Sequence, residues 1–479
     1  MLRRRTQVLL MSMALLVPAL PALGQDAAPA GPARSAILLI SDGMSPNHQF
    51  LAEAYAEQVL GTDTYINTMP YSAYTRTLTV NDNITDSAPA GSSLHAGGLY
   101  RNGVINVDED AMTRFTIGHA AQDAGKSVGI VSTARITHAT PASVYASVPD
   151  RDLEDEIATQ MLEFAPDVAL GGGIRHFLGE DGGGRREDGR DLTAEFVEAG
   201  YTFVQTGTEL GAVDLSGTDR LLGLFHGSHM TYEIDRVEQA VDEPSLADMT
   251  AAALTILDRN DEGFFLSVEA ARVDHASHAN DTVGVLHDQL AYEDAVRVAL
   301  EYQAANPDTL VISTADHDCG GLGLGRDNIF TVNIAHLEQY TCSIEYALGQ
   351  IADDMSNVDE VLADCGWDFT EEQQAMLDMM APETEPGETG VADFDMAAGY
   401  VANWLHFVMA HSQSVGAQVD YSSWTHTANP VVTFAQGPGA DALSGDIHLE
   451  DIAFAMADAM GVTFPEPVSC ECELPALEY

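Results

Sequence analysis

The residues of this 479-residue chain best suited to chemistry are four short groups of Asp and His. The first is Asp274-His275-Ala276-Ser277-His278, where Asp274 and His278, four apart, can share one helix face. The second is Thr314-Ala315-Asp316-His317, where neighbouring ligands can converge only if the backbone bends. The third is Thr425-His426-Thr427, and the fourth is Ser41-Asp42-Gly43, where Gly43 permits a tight turn. Singly, each is better explained as a surface pair or a structural histidine. Together they offer the mixed carboxylate and imidazole donors that suit zinc, and paired zinc ions suit phosphoryl transfer. A nucleophile is available in Ile84-Thr85-Asp86-Ser87-Ala88-Pro89, which reads as a loop entering a helix. A hydroxyl there sits in the positive field of the helix N-terminus, although Asp86 or Ser87 can equally be a plain cap. Arg151 offers a fork of donors to two phosphate oxygens, or a surface ion pair with Asp150 or Asp155.

Positioning these groups requires a rigid frame. Seven short apolar runs predict buried strands: 36–40, 128–132, 168–170, 221–225, 264–268, 309–313 and 431–435. Amphipathic helices are predicted between them at 153–164, 245–257 and 285–301. The alternation predicts an α/β three-layer sandwich, a central mostly parallel sheet flanked by helices. Such sheets gather their chemistry beyond the carboxyl ends of the strands. Asp42, Glu269, Asp316 and His317 all follow predicted strands. Residues 337–400 break the rhythm and are read as an insertion: a lid, a dimer contact or a surface decoration. Within it, Thr370-Glu371-Glu372-Gln373 predicts a capping box opening a helix, and an acidic, turn-rich stretch runs from Pro382 to Gly390.

The chain carries 74 Asp+Glu against 20 Lys+Arg, a formal net charge of -54, and its single lysine is Lys126. That excess excludes a basic patch for nucleic acid or anionic membrane. The acids are spread among regular apolar segments, which argues for an acid-coated globular surface suited to strong salt rather than for disorder. Arg3-Arg4-Arg5, the apolar stretch Val8–Ala19 and Ala22-Leu23-Gly24 predict a signal peptide over residues 1–24, cleaved before Gln25, and hence a periplasmic or secreted protein. Residues 25–479 are then expected to form a single catalytic domain carrying the insertion. Of five cysteines, Cys342 with Cys365 is the favoured disulfide. Cys470 and Cys472 are expected to lie too close for an easy bridge.

With these residues in place, the sequence resembles the alkaline phosphatase family from Ile37 to about Gly461. The motifs are Ile40-Ser41-Asp42-Gly43-Met44, Thr85-Asp86-Ser87-Ala88, Val131-Ser132-Thr133-Ala134, Ala139-Thr140-Pro141-Ala142, Leu170-Gly171-Gly172-Gly173, Phe265-Leu266-Ser267-Val268-Glu269, Asp274-His275 with His278, and Thr314-Ala315-Asp316-His317. Gly223-Leu224-Phe225 and Pro244-Ser245-Leu246 look more like the animal-type members. The resemblance implies a broad phosphate monoester hydrolase active at alkaline pH and releasing inorganic phosphate. It implies two Zn2+ and one Mg2+ per chain. Asp274, His278 and His426 would hold one zinc; Asp42, Asp316 and His317 the second; Asp42, Thr140 and Glu269 the magnesium. Ser87 would form a covalent phosphoserine, Arg151 would clamp the phosphoryl group, and Asp86 would orient Arg151. A homodimer is common in the family. His138 and His275 depart from the enterobacterial pattern, which has aspartate and lysine there, and stand near the third metal.

Close rivals share the sheet and the metal pair. A sulfatase needs Cys/Ser-x-Pro-x-Arg, and Gly91 stands where the arginine would be. Phosphodiesterases and cofactor-independent mutases generally lack a third site like that of Thr140 and Glu269. A non-catalytic, acid-rich metal-binding surface protein would explain the charge but not Asp86-Ser87-Ala88 together with Arg151.

Overall fold

The computed structural model describes residues 32–80, 83–326, 328–352, 355–379, 404–470 and 472–474. The predicted leader and the acidic stretch Pro382–Gly390 lie outside the described residues. Ten strands form the main sheet: β1 (Ser35–Ser41), β2 (Tyr71–Arg76), β3 (Ser127–Arg135), β4 (Val168–Gly172), β5 (Thr202–Val204), β6 (Leu221–Leu224), β7 (Phe264–Ala270), β8 (Thr309–Thr314), β9 (Val431–Gln436) and β10 (Gly445–His448). Their spatial order is β10-β2-β9-β8-β1-β7-β3-β4-β6-β5. Strand β9 runs antiparallel to both its neighbours; the other adjacent pairs are parallel. The sheet is thus mostly parallel, as expected. The three strands without a predicted run, β2, β5 and β10, carry exposed residues and lie toward the edges.

Burial on both faces explains the continuous apolar runs. In β1, Ala36, Leu38 and Ile40 face one core, shared with Ile130, Phe265 and Ile312. Ile37 and Leu39 face the other, shared with Val131, Leu266 and Val311. The covering helices are α1 (Pro46–Tyr55), α2 (Ser87–Ala96), α3 (Glu154–Phe164), α4 (Leu246–Leu257), α5 (Arg272–His278), α6 (Thr282–Ala305) and α7 (Leu449–Met460). Helices α2, α3 and α7 lend Leu94, Ile157 and Ile452 to the first core. Helices α4 and α6 lend Met249 and Val296 to the second.

A third apolar cluster joins the 337–379 stretch to the rest of the fold. Cys342, Cys365 and Trp367 pack there against Leu51 of α1, Leu286 of α6 and Met409. The expected disulfide joins Cys342 to Cys365, with Cα atoms 5.4 Å apart. The capping box also forms: Gln373 N–H donates to Thr370 Oγ1 at 3.2 Å, and Thr370 N–H to Gln373 Oε1 at 2.9 Å. The expectation for the last two cysteines is corrected. Cys470 and Cys472 are bridged, their Cα atoms 5.2 Å apart and so within the span a disulfide closes. Cys319 is the free cysteine among the described residues.

Candidate active site

Ser87 is the first residue of α2, 2 % exposed, and its Oγ lies 3.3 Å from His317 Nε2. Asp86 does cap this helix, its Oδ1 accepting from Ala88 N–H at 2.7 Å. The same carboxylate accepts from Gly103 N–H at 2.6 Å and pairs with Arg151 Nη1 at 3.3 Å. Capping and orienting are therefore one job of one side chain, not alternatives. Arg151 is held on its other arm by His138 Nε2, 2.9 Å from Nη2. Neither Asp150 nor Asp155 is its partner; Asp155 pairs with His176 instead.

The predicted ligands converge at the carboxyl ends of β1, β7 and β8. Asp42 follows β1 directly. Glu269 lies within β7 rather than after it, as the run alone suggested, and Asp316 and His317 follow β8. Gly43 turns the chain at φ +76°, and a Cβ there would stand 2.8 Å from Asp274 Cα, so only glycine lets β1 approach α5. Gly43 N–H and His317 N–H both donate to Asp316 Oδ1, at 3.1 and 2.9 Å. His317 Nε2 is then 3.1 Å from Asp316 Oδ2 and 3.5 Å from Asp42 Oδ1.

His278 and His426 give the clearest sign of what the site takes. His278 Nδ1 faces Trp424 O at 2.7 Å, and His426 Nδ1 faces Thr85 O at 2.8 Å. A carbonyl only accepts, so each Nδ1 carries a proton, and in the neutral ring Nε2 keeps its lone pair. Those two Nε2 atoms nonetheless point at each other, 3.0 Å apart. Asp274 joins them, with Oδ1 3.3 Å from His426 and Oδ2 3.5 Å from His278. Facing lone pairs beside a carboxylate are what a shared cation requires.

The buried oxygens agree. Asp42 Oδ1 and Oδ2, Thr140 Oγ1, Glu269 Oε1, Asp274 Oδ1 and Asp316 Oδ2 accept no hydrogen bond among the described residues. Orphaned buried acceptors are costly unless something else satisfies them. Burial, and then the nearby Asp316, Asp274 and Glu269, pushes the Asp42 carboxyl well above the ordinary range. Burial followed by Asp316 raises Glu269 to about 7, and burial followed by Asp274 raises Asp316 to about 6. Asp274 goes the other way: burial would raise it, but the imidazoles of His278, His426 and His317 hold it well below. Divalent ions would relieve both the crowding and the orphaned acceptors, so the residues fit the metals expected of them. Asp42 also groups with His138 and Glu269, their donor atoms within 4.8 Å of one another. Glu269 Oε2 accepts from Ser132 Oγ.

The sequence reading missed two participants. Cys319 is fully buried beside Asp274, His278 and His426, donor atoms within 4.8 Å, because Asp318–Cys319 pairs with His426–Thr427 as a small antiparallel ribbon. The adjacency of Asp316-His317 to Cys319 was a signal for it. His229 closes a cluster with His138 and His275, its ring centroid 5.2 and 4.2 Å from theirs. Nothing in its local sequence sets His229 apart.

A mostly parallel sheet whose carboxyl edge gathers oxygen and imidazole donors around a capped serine defines an α/β metal-binding hydrolase. Comparison with known proteins narrows this. The alkaline phosphatase family profile matches residues 33–462. Alkaline phosphatase 4 of Bacillus subtilis is 31% identical over 435 residues, covering 88% of this chain and 87% of the relative. The tissue-nonspecific alkaline phosphatase of Rattus norvegicus is 30% identical over 476 residues, covering 85% and 88%. The crystal structure of Thermus thermophilus alkaline phosphatase superposes with a TM-score of 0.77 at 31% identity, covering 91% of this chain and 94% of that one. The chain belongs to the alkaline phosphatase family and is a phosphate monoester hydrolase. Members of this family depend on metal ions.

Proposed function

We propose that the chain hydrolyses a broad range of phosphate monoesters at alkaline pH through a covalent phosphoserine at Ser87. The observation that carries this reading is Ser87 Oγ, buried at a helix N-terminus and 3.3 Å from His317 Nε2, with Arg151 pinned beside it by Asp86. Asp274, His278 and His426 would hold one Zn2+, Asp42, Asp316 and His317 a second, and Asp42, Thr140 and Glu269 a Mg2+. Bound there, the ions supply positive charge for an ionised serine oxygen and for the departing ester oxygen.

The chain's own residues do the rest. Ser87 Oγ attacks phosphorus, the P–O bond to the alcohol breaks, and the alcohol leaves with a proton. Arg151 offers its guanidinium edge to the phosphoryl oxygens, and backbone N–H groups of α2 add to the positive field. Water then attacks the phosphoserine, freeing Ser87 and inorganic phosphate. His317 is a poor general base here, because burial and the neighbouring His426 hold its pKa well below the ordinary range. A Ser-His-Asp relay is therefore not part of this reading. Position 91 also disfavours a sulfatase, since a Cβ on Gly91 would stand 2.6 Å from Ser143 Oγ and no arginine fits.

The mature enzyme would be one exported catalytic domain, working as a homodimer in a salt-rich medium. Among the described residues no helix is long and apolar enough to cross a membrane. The direct test is release of phosphate from a chromogenic monoester, with and without chelator, together with acid-quench trapping of phosphoserine. Activity indifferent to chelator, or a labelled residue other than Ser87, would overturn the reading.

A further inference from the structure

Beyond Ser87 and Arg151, a strip of basic side chains continues along the same carboxyl edge of the sheet. Arg135 is the last residue of β3, Arg175 follows β4, and His229 follows β6. These strands are consecutive in the sheet. Adjacent strands lie about 4.8 Å apart, so the strip extends on the order of 10 Å sideways from β3.

The three-histidine cluster at its root resembles a cation site but is not built as one. Arg151 Nη2 lies 2.9 Å from His138 Nε2, and Arg272 Nη1 lies 3.1 Å from His275 Nδ1. Arg135 Nη1 contacts His229 Nε2. A guanidinium only donates, so one lone pair of each ring is already engaged, and the protons sit on the opposite nitrogens. Each of these guanidiniums also has a carboxylate partner, Asp86 for Arg151, Glu154 for Arg135 and Glu345 for Arg272, so the cluster is neither an open cation site nor itself a source of unpaired positive charge.

Arg175 and Arg185 extend the strip outward. Arg185 N–H donates to Arg175 O at 2.7 Å, and Arg175 N–H donates to Gly227 O at 3.4 Å. In a chain with 74 acidic residues, neither guanidinium has a carboxylate partner among the described residues. Several neighbouring acids are committed elsewhere, Glu154 to Arg135, Asp155 to His176, Asp188 to Arg186 and Glu195 to Arg190, while Asp152, Glu156 and Glu187 line the same groove as Arg185. Burial, then repulsion from Arg135 and Arg185, lowers the Arg175 pKa, as expected of a cation lacking its counter-ion. Arg185 also lines a groove of about 560 Å³ that reaches Asp152, the residue after Arg151.

We propose that Arg175 and Arg185, whose guanidiniums have no carboxylate partner among the described residues, form a second anion subsite. It would take a phosphate group that is not transferred, so that monoesters carrying a second phosphate are favoured substrates. This rests on the phosphatase reading, so the test separates the two. Phenyl phosphate and 1,4-phenylene bisphosphate differ only in the second group. At fixed ionic strength, the R175A/R185A variant should lose about tenfold in kcat/KM on the bisphosphate and less than twofold on phenyl phosphate. R175K/R185K should recover part of the loss. Equal losses on both compounds, or none, would overturn the subsite. Should the native protein hydrolyse neither compound, the phosphatase reading fails. The subsite is then decided by calorimetric titration of the bisphosphate into metal-loaded S87A protein. About tenfold weaker binding after R175A/R185A supports it, and unchanged binding refutes it.

Discussion

Asp86 is the most informative residue to change, because three interactions meet on its carboxylate and they can be separated. Asp86→Asn keeps an oxygen for Ala88 N–H, and asparagine caps helices as well as aspartate does. The amide cannot also accept from Gly103 N–H, whose lost acceptor costs about 1 kcal/mol. The pair with Arg151 is about a quarter exposed on each side, at 26% and 21%, so its loss adds about another 1 kcal/mol at most. In a chain of this size that total lowers Tm by on the order of 2–4 °C. Catalysis should suffer more, since an unanchored Arg151 must be oriented anew in each turnover. A loss of about tenfold in kcat/KM corresponds to about 1.4 kcal/mol of transition-state stabilisation. The assay is phosphate release from a chromogenic monoester for native protein, D86N, R151A and the double variant. If Asp86 acts through Arg151, D86N/R151A should be within about twofold of R151A. Losses that multiply would refute that route, as would a D86N enzyme of native activity.

Ser87→Ala should abolish the acid-stable phosphoenzyme while the metal content of the purified protein stays the same; a coincident loss of metal would mean the serine is structural. Cobalt(II) exchanged into the protein should show thiolate-to-metal charge-transfer absorption that vanishes in Cys319→Ser, and no such band in the native protein would make the thiol a bystander. Burial holds the His95 pKa at about 4, against about 6.5 unfolded. The unfolded chain therefore takes up this proton first, and stability should fall as pH drops from about 6.5 toward 4, by up to about 1.4 kcal/mol per pH unit. His95→Gln should flatten the slope of Tm against pH in that window, and an unchanged slope would count against it. With a formal charge of -54, raising salt from low to molar concentration should raise Tm, and a Tm indifferent to salt would remove the case for a salt-adapted surface.

The parallel core strands were legible because burial on both faces leaves unbroken apolar runs, as in Ala36–Ile40. The half-exposed β2, by contrast, reads Tyr71-Ser72-Ala73-Tyr74-Thr75-Arg76 and gives no such run. Asp42, Glu269, Asp316 and His317 were legible as candidate ligands because each sits at or next to the carboxyl end of a strand, whereas Asp274 and His278 were legible from their spacing on one helix. Cys319 and His229 were not, because their roles depend on pairings across the chain: Cys319 with His426, and His229 with Arg135 and His275. The Cys470–Cys472 bridge was misjudged for a related reason, since spacing along the chain does not by itself set the Cα separation.

The hydrogen bond from His426 to Thr85 O spans 341 positions of sequence and ends two residues before Ser87. It fastens the loop that carries Ser87 to the ring that faces His278 and Asp274. Neither loop can be treated as an interchangeable cassette. A graft of residues 83–87 that displaced the Thr85 carbonyl would also free the imidazole at 426 to turn. Diversification at this edge of the sheet must therefore proceed through paired changes in the two loops.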